Sequence, residues 1–450
     1  MVRNAPLPLY DTFERVNTVD PALYIGNRVK RGLRNDDGTG VVAGVTRISN
    51  VHGYLLSDGV RIPDEGRLTY RGYSVEDLLG DTTAEDRFLF EGVCHLLLVG
   101  GLATSANLDA FIAALDAERE LPDGFTALYV MNPPTDNIMN ALERAVLLLY
   151  ADDNQAESRT PEHEIMTAIS LISRLPRIAV LAYYSLITAF QGGSMIMHRF
   201  IPGQSTAETI LSMLRPDRHF TPEEAHLLDI MLALHSEHGG GNNSTFACRV
   251  LTSSDTDPYS AYAAAIGSLK GNRHGGANAK VLAMQTDIME HVSNWDDEGE
   301  LADYLARIVR RDAFDGTGLI YGMGHAVYTK SDPRAVICKR FAREMAAGTE
   351  FEPQLRLLEA VERLTPEVFA SVRGEQIKVL CANIDLYSGL VYRMLGIPDE
   401  LLTPLFACAR MSGWAAHRFE EIVSGKRIMR PAYRSASKPR PFVPRDQRER

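Results

Sequence analysis

From about residue 74 onward, apolar residues recur three and four positions apart through most of the chain, the spacing of helices with one buried face. Before that point, residues 41–72 hold short β-branched runs broken by turn residues (VVAGVTRISNVHGYLLSDGV), and these predict a small β element. Several helix starts are explicit. Thr221-Pro222-Glu223-Glu224 joins a capping-box Thr and Glu to a proline at the first helical position. On a 100°-per-residue wheel, Leu227, Met231, Leu234 and His238 then share one face, so this helix is expected to carry His238 on its apolar side. Asp257-Pro258 opens AYAAAIGSLKG, whose small side chains suit close contact at a domain or subunit interface. Ser331-Asp332-Pro333-Arg334 opens another helix, and Asn383-Ile384-Asp385 precedes one that stops at Gly396-Ile397-Pro398. The most apolar run, IAVLAYYSLITAF (178–190), is shorter than the roughly 20 residues that span a bilayer, so a buried core helix and no membrane association are expected.

Composition narrows the function classes. The 450 residues are enough for two or more domains, and 45% hydrophobic with 23% charged residues is ordinary for a globular protein. A formal net charge of -11 argues against a nucleic-acid partner, because neutralising phosphates needs a positive excess. Acidic small molecules would have to be held by locally placed arginines. The five cysteines (Cys94, Cys248, Cys338, Cys381, Cys408) form no CxxC pair and lie mostly in apolar surroundings, and MVRNAPLPLYDTFERV has no continuous apolar stretch. A cytoplasmic protein with reduced thiols is expected. Residues 1–43 read as a flexible or partner-wrapped arm, and the Pro- and Arg-rich end SASKPRPFVPRDQRER (435–450) as a disordered basic tail.

Against this background a few polar residues stand in expensive places. His238 precedes three glycines and the polar cluster Asn242, Asn243, Ser244 and Thr245; it is either a core histidine satisfied by a carbonyl or a ligand contact. His274, in NRHGGAN, falls between a helix ending near Gly271 and one beginning near Ala277. The free N–H groups and positive dipole end there favour a neutral ring able to donate one hydrogen bond, although a loop histidine beside a glycine turn is the plainer alternative. Gly275 and Gly276 would let a substrate approach the backbone closely. His325 again follows glycines, in YGMGH. Arg334 sits in the first turn of its helix, where the dipole repels a cation; either an anion binds between the two, or Arg334 pairs with Asp332, a contact strained by their closeness in sequence. Around Asp385, apolar neighbours would raise the carboxyl pKa while the helix N-terminus would lower it, and the sequence does not choose. Arg410 interrupts the apolar LLTPLFACARMSGW, and Arg430 precedes Pro431.

Taken together these segments resemble citrate synthase. The strings that carry the resemblance are RLTYRGYSVEDLL, LHSEHGGGNNSTFACRV, LKGNRHGGAN, YGMGHAVYTKSDPRA, NIDLYSG followed by MLGIP, and ACARMSGWAAH followed by RIMRP, in an order and spacing covering about residues 44–432. The resemblance implies a mainly α fold, a two-domain all-helical architecture with a small N-terminal β element. Its large domain would comprise 44–272 and 391–434, its small domain 273–390, with the glycines near 271–276 and 389–396 as hinge candidates.

The implied activity condenses acetyl-CoA with oxaloacetate and hydrolyses citryl-CoA. The implied roles are Asp385 as the base on the acetyl methyl group, His274 as the donor to the thioester carbonyl and His325 as the donor to the ketone. Oxaloacetate would be held by His238, Arg334, Arg410 and Arg430, the last from the other subunit of a homodimer. Gly322, Met323, Gly324, Lys330 and Lys378 would contact CoA. Some family members carry a basic CoA contact where this chain has Thr329, and Lys330 is the candidate substitute. No cofactor or metal is expected, acetyl-CoA being a substrate. Three alternatives differ in chemistry: a 2-methylcitrate synthase using propionyl-CoA, a metalloenzyme built on His235 and His238, and a non-catalytic CoA or citrate sensor.

Overall fold

In the computed structural model, which describes residues 16–447 except 59, 272–273 and 375–378 and leaves out the Tyr129 side chain, most of the chain is helical. The sheet consists of β1 (Ser49–Ser57), β2 (Val60–Tyr70) and the short β3 (Tyr73–Ser74), all antiparallel, with Ser49 opposite Tyr70 and Ser57 opposite Val60. The helices used below are α1 (Pro21–Gly26), α2 (Leu89–Val99), α3 (Pro161–Phe190), α4 (Pro222–His235), α5 (Asn243–Thr252), α6 (Pro258–Leu269), α7 (Ala277–His291), α8 (Pro333–Ala346), α9 (Asp385–Met394) and α10 (Leu402–Glu420).

The predicted starts form with the predicted chemistry. Thr221 and Glu224 close a capping box with Pro222 in the first turn of α4, and Asp257 accepts the Ser260 N–H ahead of α6. Asp332 caps α8, and the Asn383 side chain accepts the Asp385 N–H at the head of α9. The 178–190 run is only the second half of α3, a 30-residue helix that is long and apolar enough to cross a membrane by length and composition, but most of whose apolar side chains lie in the core. Along its length α10 packs against α2, α3, α4 and α5, with Arg418 making two 2.7 Å bonds to Glu164 of α3. All five cysteines are free and buried, as core fillers should be.

Residues 44–428 make one compact unit, while the two chain ends, up to Ala43 and from Met429 on, make another. Its described N-terminal part is not featureless: it contains α1, capped by Asp20, and Arg34 bridging to Gly40. The C-terminal part is exposed coil with one short turn at Arg445–Gln447.

The hairpin β1–β2 grips residues 327–331 through two glycines. A Cβ on Gly53 would fall 2.5 Å from Tyr328 Cα, and one on Gly66 only 2.0 Å from the Ser331 carbonyl oxygen. The contact is stitched by Arg61 Nη2 to the Val327 carbonyl at 2.7 Å, by the Gly66 N–H to Ser331 Oγ at 3.0 Å and by the Asp64 N–H to Thr329 Oγ1 at 3.1 Å. Thr329 Oγ1 also reaches the Gly53 and Asp64 carbonyls, so this residue is committed to the hairpin. Gly66→Ala is therefore expected to destabilise the protein by about 1–3 kcal/mol, the usual range for forcing a methyl group against well-packed backbone. Denaturant unfolding checks this; a variant within error of the native midpoint would show that the backbone contact yields freely.

Candidate active site

The site is organised by one face of α10. Arg410, Gly413, Trp414 and His417 stand at i, i+3, i+4 and i+7, a single stripe. Each meets the stretch that runs from the last residue of α4 to the first turn of α5. Arg410 Nε donates to the His235 carbonyl at 2.6 Å, His417 Nε2 meets Glu237 Oε1 at 2.9 Å, and Trp414 Nε1 donates to Ser244 Oγ at 3.2 Å. At Gly413 a Cβ would lie 2.3 Å from the Ser236 carbonyl oxygen.

His238 does not ride on α4, contrary to the wheel reading. The helix stops at His235, where its end is met from outside: Tyr70 Oη lies 3.3 and 3.2 Å from the Ala233 and Leu234 carbonyl oxygens and 3.2 Å from that of Glu237 beyond it, and Arg410 Nε donates to that of His235. His238 is instead a buried loop residue, 8% exposed, with Nε2 3.3 Å from Tyr328 Oη. Burial first, then Arg334, His325 and Arg410, hold its pKa well below the usual imidazole value.

His325 faces it, with ring centroids 5.0 Å apart and planes nearly perpendicular, and stacks on Tyr328 at 4.5 Å. Its Nδ1 accepts the backbone N–H groups of Val327 and Tyr328, both at 3.0 Å. That lone pair is thereby committed, which leaves the ring proton on Nε2 as a donor. The glycines before it do structural work. The Gly324 N–H donates to the Cys381 carbonyl at 2.8 Å, the Asn383 N–H to the Gly322 carbonyl at 2.9 Å, and Asn383 Nδ2 to the Gly324 carbonyl at 2.9 Å. Gly322 and Gly324 adopt φ of +80° and +88°, and a Cβ on Gly322 would strike Leu386 at 2.8 Å. This pairing ties the His325 segment to the strand-like approach to Asp385.

Asp385 opens α9, where burial is the largest influence and raises its carboxyl pKa to about 6, with Asp332 adding to the rise and Arg334 and Arg410 opposing it. The question left open by the sequence is thus answered in favour of desolvation. His274 lies between α6 and α7, its Nε2 3.4 Å from the Ser244 N–H and 3.1 Å from Ser244 Oγ. An N–H can only donate, so Nε2 accepts and the ring proton belongs on Nδ1. Burial and then Arg410 bring its pKa down to about 4, a neutral imidazole as expected. The neighbouring Gly275 does not leave room for a substrate, however: the space its Cβ would occupy is already filled by Leu269, whose carbonyl oxygen would be 2.5 Å away.

The arginines divide sharply. Arg334, 4% exposed, does pair with Asp332, through Nε at 3.1 Å and Nη2 at 2.8 Å. Closeness in sequence causes no strain because Asp332, as the cap, has extended rather than helical backbone (φ −104°, ψ 113°) and folds back over the first turn. Arg410 is wholly buried, lies 4.7 Å above the Phe406 ring, and uses only Nε; among the described residues Nη1 and Nη2 have no partner. Burial lowers its pKa to about 10, and Glu237 is the chief group opposing that fall. Two orphaned guanidinium nitrogens in a dry site call for an anion.

Of the other expected residues, Lys330 is exposed, Arg430 belongs to the chain-end unit and is exposed there, and Lys378 lies outside the described residues. His235 is a core histidine: Nδ1 donates to the Met231 carbonyl at 2.7 Å, the ring packs 4.6 Å from Phe406, and burial takes its pKa to about 3. Among the described residues no group of three or more His, Cys, Asp or Glu is placed to hold a metal ion. The sequence reading missed Tyr70, Glu237, Tyr328 and His417, although the i, i+3, i+4, i+7 run from Arg410 to His417 was available to point to the last.

Residues 36–432 match the family model described as citrate synthase, C-terminal domain. The citrate synthase of Synechocystis is 32% identical over 87% of this chain and 88% of its own length. The 2-methylcitrate synthase 1 of Corynebacterium glutamicum is 31% identical over 90% and 94%. The citrate synthase of Thermoplasma acidophilum, solved in a ternary complex with carboxymethyl coenzyme A and oxaloacetate, superposes with a TM-score of 0.76 at 26% identity, over 93% of this chain and 99% of that one.

A four-carbon dicarboxylate at a hundred times its Kd should raise the protein's stability by about 2.7 kcal/mol, and Arg410→Leu should abolish that increment. Thermal denaturation with and without the dicarboxylate reads the difference; an unchanged increment in the variant would assign the anion elsewhere.

Proposed function

The chain belongs to the citrate synthase family, and from that premise we propose that it condenses acetyl-CoA with oxaloacetate and hydrolyses citryl-CoA to citrate and CoA. The observation that carries this reading is the setting of Arg410: among the described residues neither of its terminal nitrogens has a partner, and its charge acts, after burial, on His238, His274 and Asp385 alike. A dicarboxylate held there would sit within electrostatic range of a base and of two neutral imidazoles.

Each role follows from a protonation state. A thioester methyl group is a weak carbon acid and needs a base and a carbonyl donor acting together. Asp385, titrating near 6, is ionised at neutral pH yet a stronger base than an ordinary carboxylate. His274, neutral above about 4, offers Nδ1–H to the thioester oxygen as the enol forms. His325 offers Nε2–H to the oxaloacetate ketone, which makes its carbon electrophilic toward the enol. His238, Arg334 and Arg410 hold the carboxylates, and Arg430 joins them from a second copy in a homodimer. CoA lies along Gly322, Met323 and Gly324, with Lys330 and Lys378 near its phosphates. The large domain (44–272 and 391–434) and small domain (273–390) close over the substrates and exclude water until condensation. The enzyme works in the cytoplasm, without metal or cofactor.

A second reading rests on one observation: relatives named citrate synthase and 2-methylcitrate synthase stand at 32% and 31% identity. One added methyl group is worth only about 1–3 kcal/mol of discrimination. Steady-state kinetics with acetyl-CoA and propionyl-CoA decide between them; we expect the higher kcat/KM with acetyl-CoA.

His274→Ala should lower kcat by roughly 100- to 1000-fold with little change in oxaloacetate binding. Near-native turnover would remove His274 from the chemistry. Asp385 must be unprotonated to act, and its pKa is raised, so kcat/KM is present above pH 6 and falls as pH drops through about 6. The loss should be about tenfold per unit below that point. An acid limb centred near 4 instead would mean that the base is an ordinary carboxylate or another group.

A further inference from the structure

Beneath the loop that carries His238 lies a buried chain of polar groups that no substrate would touch. Arg249 of α5 donates Nη1 to Glu421 at 2.8 Å and pairs Nη2 with Glu420. Its Nε and Nη2 also point at His417 Nδ1, at 3.1 and 2.8 Å. A guanidinium has only donors, so His417 Nδ1 must accept, and the proton on its other nitrogen is directed to Glu237 Oε1 at 2.9 Å. That same oxygen accepts from Ser49 Oγ at 2.8 Å and from the Gly239 N–H. Both His417 and Glu237 are 0% exposed.

Three consequences converge on the ketoacid side of the site. Glu237 and Gly239 flank His238 in sequence, so the bonds to Oε1 fix the loop on both sides of that imidazole. Oε1 is thus occupied, while Glu237 Oε2 and Arg410 Nη1 and Nη2 have no hydrogen-bond partner among the described residues, so Glu237 stands as a counter-charge for Arg410 with no direct bond to it. Beneath them, the ring of His417 also supports Gly240, where a Cβ would lie 3.2 Å from His417 Cε1.

We propose that His417 and Glu237 are positioning residues for the four-carbon ketoacid: Arg249 locks the His417 tautomer, His417 fixes the Glu237 carboxylate, and Glu237 holds the His238 loop beside an Arg410 left open for a substrate carboxylate. This rests on the reading of oxaloacetate as substrate. Removing the His417 donor leaves a buried carboxylate oxygen short of one bond, a loss worth about tenfold in an equilibrium.

The test compares native enzyme, His417→Leu and His417→Gln, the glutamine keeping an N–H donor for Glu237. Thiol release from acetyl-CoA with oxaloacetate is measured first in the native enzyme; no release there sinks the substrate assignment itself, independently of this proposal. Given native activity, His417→Leu should raise the oxaloacetate KM, and its Kd by calorimetry, on the order of tenfold. The acetyl-CoA KM should stay within about twofold, and His417→Gln should recover most of the loss. Equal changes in both KM values, a fall in kcat alone, or no rescue by glutamine would overturn the proposal. Should His417→Leu fail to fold, Ser49→Ala removes another donor from the same oxygen; it should raise the oxaloacetate KM selectively by about threefold, and an unchanged value counts against the proposal.

Discussion

A guanidinium withdrawn from water and denied a full set of partners is the constraint around which this molecule is arranged. Moving such a cation into a protein interior carries a penalty of several kcal/mol even after relaxation, and Arg410 recovers only part of it from the His235 carbonyl, the Phe406 ring and the nearby Glu237. Collapse onto Glu237 would satisfy the arginine and close the site. In the structure Ser49, Gly239 and His417 fill Glu237 Oε1, and neither Glu237 Oε2 nor the two terminal nitrogens of Arg410 has a hydrogen-bond partner among the described residues. Burial alone would raise the Glu237 carboxyl, yet the His417 ring, Arg410 and Ser49 together bring it down, and the counter-charge stays in place.

Burial sets the protonation of the neighbours of Arg410, and the cation adjusts it. His238 and His274 are pushed toward neutrality first by burial and then by nearby positive charge, while Asp385 is pushed up by burial and only partly restrained by the two arginines. The outcome is a carboxyl group near 6 and an imidazole near 4, both under the influence of Arg410, a reversal of their usual order. At neutral pH that reversal supplies an ionised base and an uncharged donor at once, from residues that in water would titrate the other way round. Backbone geometry completes the assignment, since Val327, Tyr328 and Ser244 each spend an N–H to decide which ring nitrogen keeps its proton.

Much of this was legible along the chain. The capped starts of α4, α6, α8 and α9, the β-branched hairpin and the glycine-flanked histidines are local signals, and local chemistry decides them. What escaped is non-local or depends on where a helix ends. The wheel carried His238 onto α4 because nothing near it in sequence says that Tyr70, some 160 residues earlier, and Arg410, some 170 later, will take the last carbonyls. The Asp332–Arg334 pair looked strained only if both residues were helical, and the cap is not. Gly275 read as open space because the side chain that fills it, Leu269, belongs to the preceding helix. Tyr328 and Glu237 gave no signal at all, being a tyrosine and a glutamate in polar company until the fold buries them.

The hairpin has a further meaning for how the molecule can move. Gly53 and Gly66 let its backbone lie against residues 327–331 with no side chain between, and Thr329, Ser331 and Arg61 bolt the two together. The segment that follows His325 is therefore joined to one more than 250 residues earlier in the chain. Ser49, at the start of that same hairpin, is bonded to Glu237 beneath the His238 loop. One ribbon thus meets both the segment after the ketone donor and the carboxylate seat, so a change at either end is felt through the same two strands.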